Sequence, residues 1–164
     1  VIEGGIIRSQ SITSTMVSTP LHVVVAEGDI LLVTARLRKY EPNILDIMGD
    51  TPLHTAASSG RKEQRQITQM LLQAGAAVNV VNRFGETPLD TAVFWAMRHR
   101  LDGDRGKERI CKRVAKLLHR NGGVRLTSWV NSQHWRSVLR EYQRVTGDVE
   151  EIDSSSDEDR QQKH

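Results

Sequence analysis

The sequence has little cysteine, few aromatic residues and no long apolar run, and each shortage excludes a class of protein. Its 164 residues include one cysteine, Cys111, which excludes an internal disulfide framework and favours a reducing compartment. Cys111 shares an apolar helical stripe with Val114 and Leu118, which predicts a small buried core residue. Because no run of 18 apolar residues occurs, we expect no membrane contact and an intracellular protein of the cytoplasm or nucleus.

Sequence motifs of catalysis and of metal binding are also missing. The chain has no GxxxxGK phosphate-binding loop and no GxSxG nucleophile motif, and its six histidines lack the spacing of metal ligands. Residues 102–106 resemble the start of a calcium-binding loop, but the twelfth position of such a loop is Arg113 instead of a bidentate glutamate. We therefore expect a protein that is not an enzyme and that needs neither a cofactor nor a metal ion.

What the sequence does contain is a four-residue phrase that occurs three times. Thr-Pro-Leu-His begins at Thr19 and at Thr51, and Thr-Pro-Leu-Asp begins at Thr87, so the spacings are 32 and 36 residues. Threonine is a favourable N-cap, and proline fits the first helical position because its missing N–H would have no partner there. Each phrase therefore predicts the start of a helix, and Gly28 and Gly60 suit the turn that ends it.

A second helix follows the first in each unit. In the middle unit the apolar residues Ile67, Met70 and Leu71 recur at i, i+3 and i+4, which predicts one buried stripe. Phrase, stripe and spacing together resemble the ankyrin-repeat family, whose period is about 33 residues. The resemblance implies an all-α helical solenoid with short β-hairpin fingers, here residues 43–49 and 78–85, and a capping helix at the C-terminal end.

The chain divides into four segments on this basis. They are a mobile N-terminal segment 1–18, three ankyrin-like repeats in 19–123, a capping segment 124–146 and a disordered acidic tail 147–164. The amino-acid composition agrees with a stack of repeats, because such a stack needs only a thin aliphatic core. Aromatic residues make up only 4% of the chain. The three repeats span about 19–50, 51–86 and 87–123.

The third repeat departs from the family pattern in two ways. A long insertion around residues 99–108 is predicted to lengthen both of its helices and to form a protruding basic arm. Asp90 stands where the family prefers histidine. In the capping segment after this repeat, Trp135, Val138 and Leu139 recur at i, i+3 and i+4 and predict one further helix with an apolar stripe.

Charge is distributed unevenly along the chain. The formal net charge is +3, yet residues 93–145 contain 13 basic and four acidic residues, a net of +9, and residues 148–164 have a net charge of −5. The basic stretch is either an ordinary solvated helix face or a patch that attracts an acidic partner. Nucleic acid is the weaker alternative, because aromatic residues that stack on unpaired bases are scarce. The predicted basic patch is Arg105, Lys107, Arg109, Lys112, Arg113 and Lys116.

The acidic tail contains candidate regulatory sites. Ser154, Ser155 and Ser156 each have an acidic residue three positions later, a pattern that acidophilic kinases favour, and each phosphate would add about −1.5 to −2 charges. Residues 149–152 are similar to SUMO-interacting motifs, although a disordered acidic terminus is the simpler interpretation. A further hypothesis is that the tail folds back onto the basic third repeat and competes with a partner.

For function, the resemblance implies a protein-protein interaction module or scaffold that is a monomer without its partner. Partners of ankyrin repeats lie against a concave surface of finger tips and first helices, and we expect a partner of acidic or mixed charge. Phe84 is the strongest candidate anchor, whereas Trp95 either faces this surface or packs beneath the insertion. The alternatives are an inhibitor of a transcription factor, resembling the ankyrin-containing inhibitors of Rel/NF-kappaB proteins, and a nucleic-acid-associated regulatory factor. The predicted partner-binding residues are Met48, Asp50, Ser58, Ser59, Phe84, Glu86, Phe94, Trp95 and Arg98.

Overall fold

The helices of this protein come in pairs that follow one another along the chain. The structure, a computed structural model, describes residues 20–126 and 133–146. The segment 1–18, the Thr19 cap and the tail 147–164 with its three serines lie outside the described residues, so the predictions for them are not tested. Within the described residues the helices are α1 (Pro20–Glu27), α2 (Ile30–Leu37), α3 (Pro52–Ser59), α4 (Gln64–Gln73), α5 (Pro88–Leu101), α6 (Arg105–Arg120) and α7 (Gln133–Thr146).

The repeated phrase starts helices where the sequence predicts. Pro20, Pro52 and Pro88 are the first residues of α1, α3 and α5. Thr51 and Thr87 precede α3 and α5 with extended backbone, at φ −87° and −84°. The hydroxyl of Thr87 accepts the backbone N–H three residues later at 3.2 Å, which satisfies one of the donors that a helix start leaves unpaired. The all-α fold class is therefore confirmed for the described part of the chain.

The helices form two layers with the core between them. The first helices α1, α3 and α5 contact one another in order, and the second helices α2, α4 and α6 do the same. The leucine of each phrase, Leu21, Leu53 or Leu89, is buried between the layers, as is Ile67 of the predicted stripe. Cys111 is also buried, as predicted, and burial raises the pKa of its thiol to about 12. The core is thus linear, and each repeat contacts its neighbours.

Two asparagines fasten consecutive repeats at the bases of the fingers. Oδ1 of Asn43 accepts the backbone N–H of Ala77 at 2.7 Å. Oδ1 of Asn79 accepts the backbone N–H of Val124 at 2.9 Å, and its amide donates to the carbonyl oxygen of Gly122 at 3.0 Å. Segments outside helices have no intrahelical partners, so these side chains satisfy backbone groups that would otherwise depend on water.

The third repeat has longer helices than the second. Its helices α5 and α6 have 14 and 16 residues, whereas α3 and α4 have 8 and 10. A short turn at residues 102–104 joins them, and Asp104 caps α6 by accepting the backbone N–H of Lys107 at 3.0 Å. The insertion therefore extends a helix pair beyond the rest of the stack.

Helix α7 covers the C-terminal end of the stack by packing on α5. Trp135 is fully buried, and its ring meets that of Phe94 edge to face with centroids 4.9 Å apart. The indole N–H of Trp135 donates to the carboxylate of Glu86. Val138 of the predicted apolar stripe is also buried. An aromatic side chain, a hydrogen bond and an aliphatic contact thus hold α7 against the last repeat.

Candidate functional site

Buried histidines connect the first helix of a repeat to the residue that follows the finger of the same repeat. His22 Nε2 lies 2.8 Å from the carbonyl oxygen of Asp50, and His54 Nε2 lies 3.0 Å from that of Glu86. His54 Nδ1 accepts the backbone N–H of Thr51 at 3.1 Å, so Nε2 is the nitrogen that donates. Burial lowers the pKa of both histidines, although their backbone hydrogen bonds oppose this shift. Both imidazoles are therefore neutral groups that hold a first helix against the end of its own repeat.

Asp90 takes the histidine position in the third repeat and reverses the direction of the hydrogen bond. Its carboxylate accepts the backbone N–H groups of Thr87 at 3.1 Å and of Leu126 at 3.2 Å. Arg125 lies 3.8 Å from the other carboxylate oxygen. Burial raises the pKa of Asp90 against the opposing effects of these hydrogen bonds and of Arg125. Aspartate in place of histidine therefore fits position 90, because the segment that leaves the third repeat presents the backbone N–H of Leu126 to it.

Each finger is a tight turn held by one side chain. Oδ1 of Asp46 accepts the backbone N–H groups two and four residues later, at 2.8 and 2.9 Å. Oδ1 of Asn82 makes the same pair of contacts, both at 3.0 Å. Because the side chain takes N–H groups that a strand ladder would use, the described fingers contain turns in place of the expected β-hairpin strands.

Apolar side chains are exposed at both finger tips. Met48 is 40% exposed and Phe84 is 55% exposed, and Leu45, Ile47 and Val81 are exposed on the same two fingers. The fingers are joined, because the backbone N–H of the residue before Phe84 donates to the carbonyl oxygen of Met48 at 3.0 Å. We call these five residues the finger-tip patch. An apolar patch of this kind is typical of an interaction surface.

Three other predicted contact residues lie partly buried beside the fingers or on α3. The carboxylate of Asp50 accepts the side-chain amide of Asn82 at 2.8 Å and so links the two fingers a second time. The hydroxyl of Ser58 donates to a carbonyl of its own helix at 3.1 Å. The hydroxyl of Ser59 donates to the carbonyl oxygen of Ala26 in α1 at 3.2 Å. These side chains therefore contribute to the geometry of the surface.

Trp95 and Arg98 of α5 have different surroundings. Trp95 is partly buried, and its ring lies against that of His99 with centroids 5.6 Å apart. The side chain of Arg98 is half exposed and pairs with Asp102 at 3.5 Å. Trp95 thus contacts a residue of the helix that the insertion extends and keeps part of its surface in water, and its contact with a partner stays a prediction.

Two of the predicted contact residues are buried, and the prediction that they lie on an open surface is wrong. Glu86 is buried because it accepts the indole N–H of Trp135. Phe94 is buried because its ring packs against the rings of Trp95 and Trp135. Both residues hold the capping helix in place. The signal that could have found this role is the tryptophan in the apolar stripe of the capping segment, since a buried indole requires an acceptor.

The predicted basic patch lies on α6 around a buried carboxylate. Glu108 is buried, and Arg100, Arg105 and Lys112 approach its oxygens at 3.3, 3.2 and 3.0 Å. Burial alone would raise the pKa of Glu108. The hydrogen bond and charge of Lys112, together with the two arginines, outweigh burial and hold that pKa below its ordinary value. Part of the positive charge on α6 is therefore paired inside the molecule.

The remainder of the basic patch also lies on α6. Lys107 pairs with Asp104 at 3.2 Å, Lys116 is half-buried, and Arg109 and Arg113 are exposed one helical turn apart. Helix α6 belongs to the layer of second helices, whereas the finger tips directly precede the first helices α3 and α5. The molecule thus has two candidate surfaces, one apolar and one basic.

The described residues were also compared with the requirements of a metal site and of a membrane-spanning helix. In residues 20–126 and 133–146, no group of three or more histidine, cysteine, aspartate or glutamate side chains is placed to hold a metal ion. None of the helices in this part of the chain has both the length and the apolar character needed to cross a bilayer.

Comparison with known proteins identifies the repeat. A family model for ankyrin repeats in three copies matches residues 18–102, about half of the chain. The chain is 38% identical over 84 residues to the NAD-capped RNA hydrolase NUDT12 of Homo sapiens, which covers 49% of this chain and 17% of that protein. It is 34% identical over 132 residues to the oxysterol-binding protein-related protein 1 of Homo sapiens, covering 77% of this chain and 13% of the relative.

A third relative is also matched over only a small part of its length. The ankyrin repeat domain-containing protein 13C of Danio rerio is 34% identical over 79 residues, or 48% of this chain and 16% of that protein. The matches to these three proteins therefore span between 13% and 17% of the length of the relatives.

Proposed function

The chain belongs to the ankyrin-repeat family, and on that premise we propose that it is a protein-interaction module whose partner lies against the finger-tip patch and the adjoining first helices. The observation that carries the proposal is the exposure of Met48 and Phe84 on two fingers joined by a backbone hydrogen bond of 3.0 Å. Apolar side chains on a fixed turn lose little conformational entropy when a partner covers them. An aromatic residue among them suits the role of an anchor.

The proposed partner is a protein of acidic or mixed charge. Arg109 and Arg113 are exposed on α6, and residues 93–145 have a net charge of +9. A partner that contacts the fingers and extends an acidic segment to α6 would gain from both surfaces. Nucleic acid fits less well, because Phe94 and Trp135 are buried and so do not stack on bases. We further propose a monomer in the absence of the partner, located in the cytoplasm or nucleus.

The proposal assigns no reaction and no cofactor to this chain. The activity in the name of the hydrolase NUDT12 is a property of that protein, and the match spans 17% of it. The histidines of the phrase are buried with lowered pKa values and are occupied by backbone contacts. The thiol of Cys111 is buried and has a raised pKa, so it is a poor nucleophile at neutral pH.

The acidic tail is the proposed regulatory element. Its net charge of −5 over residues 148–164 is opposite to that of the basic patch. Phosphorylation of Ser154, Ser155 and Ser156 would add about −1.5 to −2 charges each and strengthen its competition with an acidic partner. If so, deletion of residues 147–164 increases partner affinity at low salt. Equal affinity with and without these residues contradicts this part of the proposal.

Substitution of Phe84 tests the binding surface. Wild-type protein and the Phe84→Ala variant are immobilised, proteins captured from cell lysate are identified, and the affinity of the purified partner is then measured. Because truncation of an anchor residue costs about 2 kcal/mol or more, we expect the affinity to fall at least about 30-fold. Equal affinity of both proteins, each with a native circular dichroism spectrum, contradicts the proposal.

The matched control is Val145→Ala. Val145 is as exposed as Phe84 but lies on α7, away from the fingers, so its truncation is expected to leave the affinity unchanged. Binding to generic duplex DNA provides the second comparison. Tight DNA binding that falls steeply with salt and is unaffected by Phe84→Ala would favour the nucleic-acid alternative.

A further inference from the structure

The face of α6 that points away from the core carries a row of basic side chains. The buried face of this helix consists of Glu108, Cys111, Val114, Ala115 and Leu118. On the opposite face, basic residues recur every three or four positions over about 22 Å of helix. All of them are exposed except the fourth, which is half-buried. We call this row the α6 stripe, and its residues are Arg105, Arg109, Arg113, Lys116 and Arg120.

The charge of the α6 stripe is not balanced along the helix. The one acidic residue of α6 is Glu108, which is buried and already approached by three basic side chains. In the part of the chain that the structure describes, no ion pair joins Arg109 or Arg113 to a carboxylate. Like charges one helical turn apart repel one another and weaken a helix. The free protein therefore keeps an unfavourable arrangement that an anionic partner would relieve.

The corresponding helix of the second repeat shows that this charge is not a general property of the layer. The exposed residues of α4 that point away from the core are mostly glutamines. They are Arg65, Gln66, Gln69 and Gln73. A solvated helix face in this layer therefore does not require basic side chains. Solvation accounts for the exposure of the α6 stripe but not for its single sign of charge.

We propose that the α6 stripe binds an acidic α-helix of the partner, which lies along α6 and carries a carboxylate at each turn. This inference rests on the proposed interaction function and identifies the partner segment that meets α6. Residues three or four apart on a helix are separated by about 4.5–6 Å along its axis. Acidic residues on one face of a partner helix have the same spacing, so several pairs form at once. The guanidinium group of arginine can donate two parallel hydrogen bonds to each carboxylate.

Charge density favours a helix over nucleic acid as the occupant. The α6 stripe carries one positive charge per roughly 5–6 Å, close to the spacing of one carboxylate per helical turn. Duplex DNA carries one negative charge per about 1.7 Å of its axis, a density about three times higher. Helix α6 also contains no aromatic residue that could stack on an unpaired base.

Synthetic helices test the spacing directly. Two peptides of equal length are built from alanine, a strong helix former, and the same number of glutamates. In the in-register peptide the glutamates follow the spacing of the α6 stripe on one face. In the spread peptide they are distributed around the helix at the same net charge. Fluorescence anisotropy at low salt measures the affinity of each peptide for the full chain.

We expect the in-register peptide to bind at least about tenfold more tightly than the spread peptide, because only the first can form several charged pairs together. Arg109→Gln with Arg113→Gln should remove most of this difference, while the circular dichroism spectrum stays native. Equal affinity of the two peptides for the wild-type chain overturns the proposal. Tighter binding of generic duplex DNA than of the in-register peptide, lost with the same two substitutions, also overturns it.

The matched control removes two positive charges elsewhere. Arg38→Gln with Lys39→Gln changes exposed residues that directly follow α2, and it should leave the preference for the in-register peptide unchanged. A loss equal to that of the α6 variant overturns the proposal, because net charge alone would then explain binding. Phe84→Ala should not affect either peptide, since alanine and glutamate offer no large apolar group to the finger-tip patch. Failure of peptide binding thus counts against the α6 stripe alone, and the finger proposal is tested separately.

The stability of the free protein provides a second test that needs no ligand. Because Arg109→Gln with Arg113→Gln removes repulsion along α6, the unfolding constant of the variant relative to wild type should be about twofold lower at low salt than at high salt. Comparison of the two salt concentrations cancels any difference in helix propensity. Urea denaturation measures these constants. A ratio that is higher at low salt overturns the proposal, because the arginines would then make favourable charge contacts within the free protein.

Discussion

A single position decides how each first helix is joined to the segment that leaves its repeat. His22 and His54 donate an N–H to a carbonyl oxygen of the following finger, whereas Asp90 accepts an N–H from Leu126. An imidazole can donate and accept, but an ionised carboxylate only accepts. The structural role of the histidines follows from the repeated phrase. The role of Asp90 does not, because it depends on which backbone group of the exit segment faces it in the folded chain.

The buried histidines predict a loss of stability in mild acid. In the unfolded chain histidine binds a proton below about pH 6.5, but burial lowers the pKa of His54 in the folded protein. The unfolded state therefore binds more protons below pH 6.5, and the free energy of unfolding falls as the pH decreases from 7 to 5.5. Urea denaturation across this range measures the slope.

The variant His54→Gln is the comparison for this slope. It removes one titrating group and should reduce the dependence on pH, leaving the contribution of His22, whose pKa is also lowered by burial. At pH 7 the variant should be less stable by about 1–3 kcal/mol, since its contacts to Thr51 and Glu86 are disturbed. The same pH slope in wild type and variant would show that His54 is not the titrating group.

At the scale of helices, sequence patterns predicted the elements better than their contacts. Proline at the first helical position and apolar stripes are local signals, so the starts of α3 and α5 and the stripe of α4 could be predicted. Of the consecutive pair Phe94 and Trp95, Phe94 is buried and Trp95 is partly buried against the core. The burial of Glu86 was missed, because local patterns do not show which carboxylate meets an indole 49 residues later in the chain.

Helix α7 offers a test of how the stack is closed. Trp135→Ala removes the ring that packs against Phe94 and the donor to Glu86. Loss of a buried tryptophan typically costs about 3–5 kcal/mol, so we expect the urea midpoint to fall and α7 to become accessible to protease before the repeats unfold. Limited proteolysis with mass spectrometry locates the cuts. Val145→Ala, an exposed residue of the same helix, is the control, and identical cleavage of both variants would contradict this role of Trp135.

On the scale of the whole molecule, the basic patch and the finger-tip patch lie on different elements. The basic patch lies on α6 in the layer of second helices, and the finger-tip patch precedes the first helices. Counting charge along residues 93–145 combines α5, α6 and α7 and therefore hides this separation. The asparagine contacts of Asn43 and Asn79 were missed for a similar reason, since each joins segments more than 30 residues apart.

Two surfaces of different character predict two different responses to salt. Arg109→Ser with Arg113→Ser should lower the association rate of an acidic partner at low salt, and this effect should shrink as salt rises. Phe84→Ala should instead increase the dissociation rate by a factor that changes little with salt. Surface plasmon resonance at several salt concentrations separates these outcomes. A salt-independent effect of the arginine substitutions would show that α6 does not attract the partner by charge.

The hydrogen bond between the two fingers connects one peptide group to another, from the N–H of Arg83 to the carbonyl oxygen of Met48. Its partners are present whatever side chains occupy the tips, and the turns themselves are held by Asp46 and Asn82. Positions 47, 48, 81 and 84 can therefore be varied together in a combinatorial library while the two loops keep their spacing. The chain is for this reason a suitable starting scaffold for selecting affinity reagents.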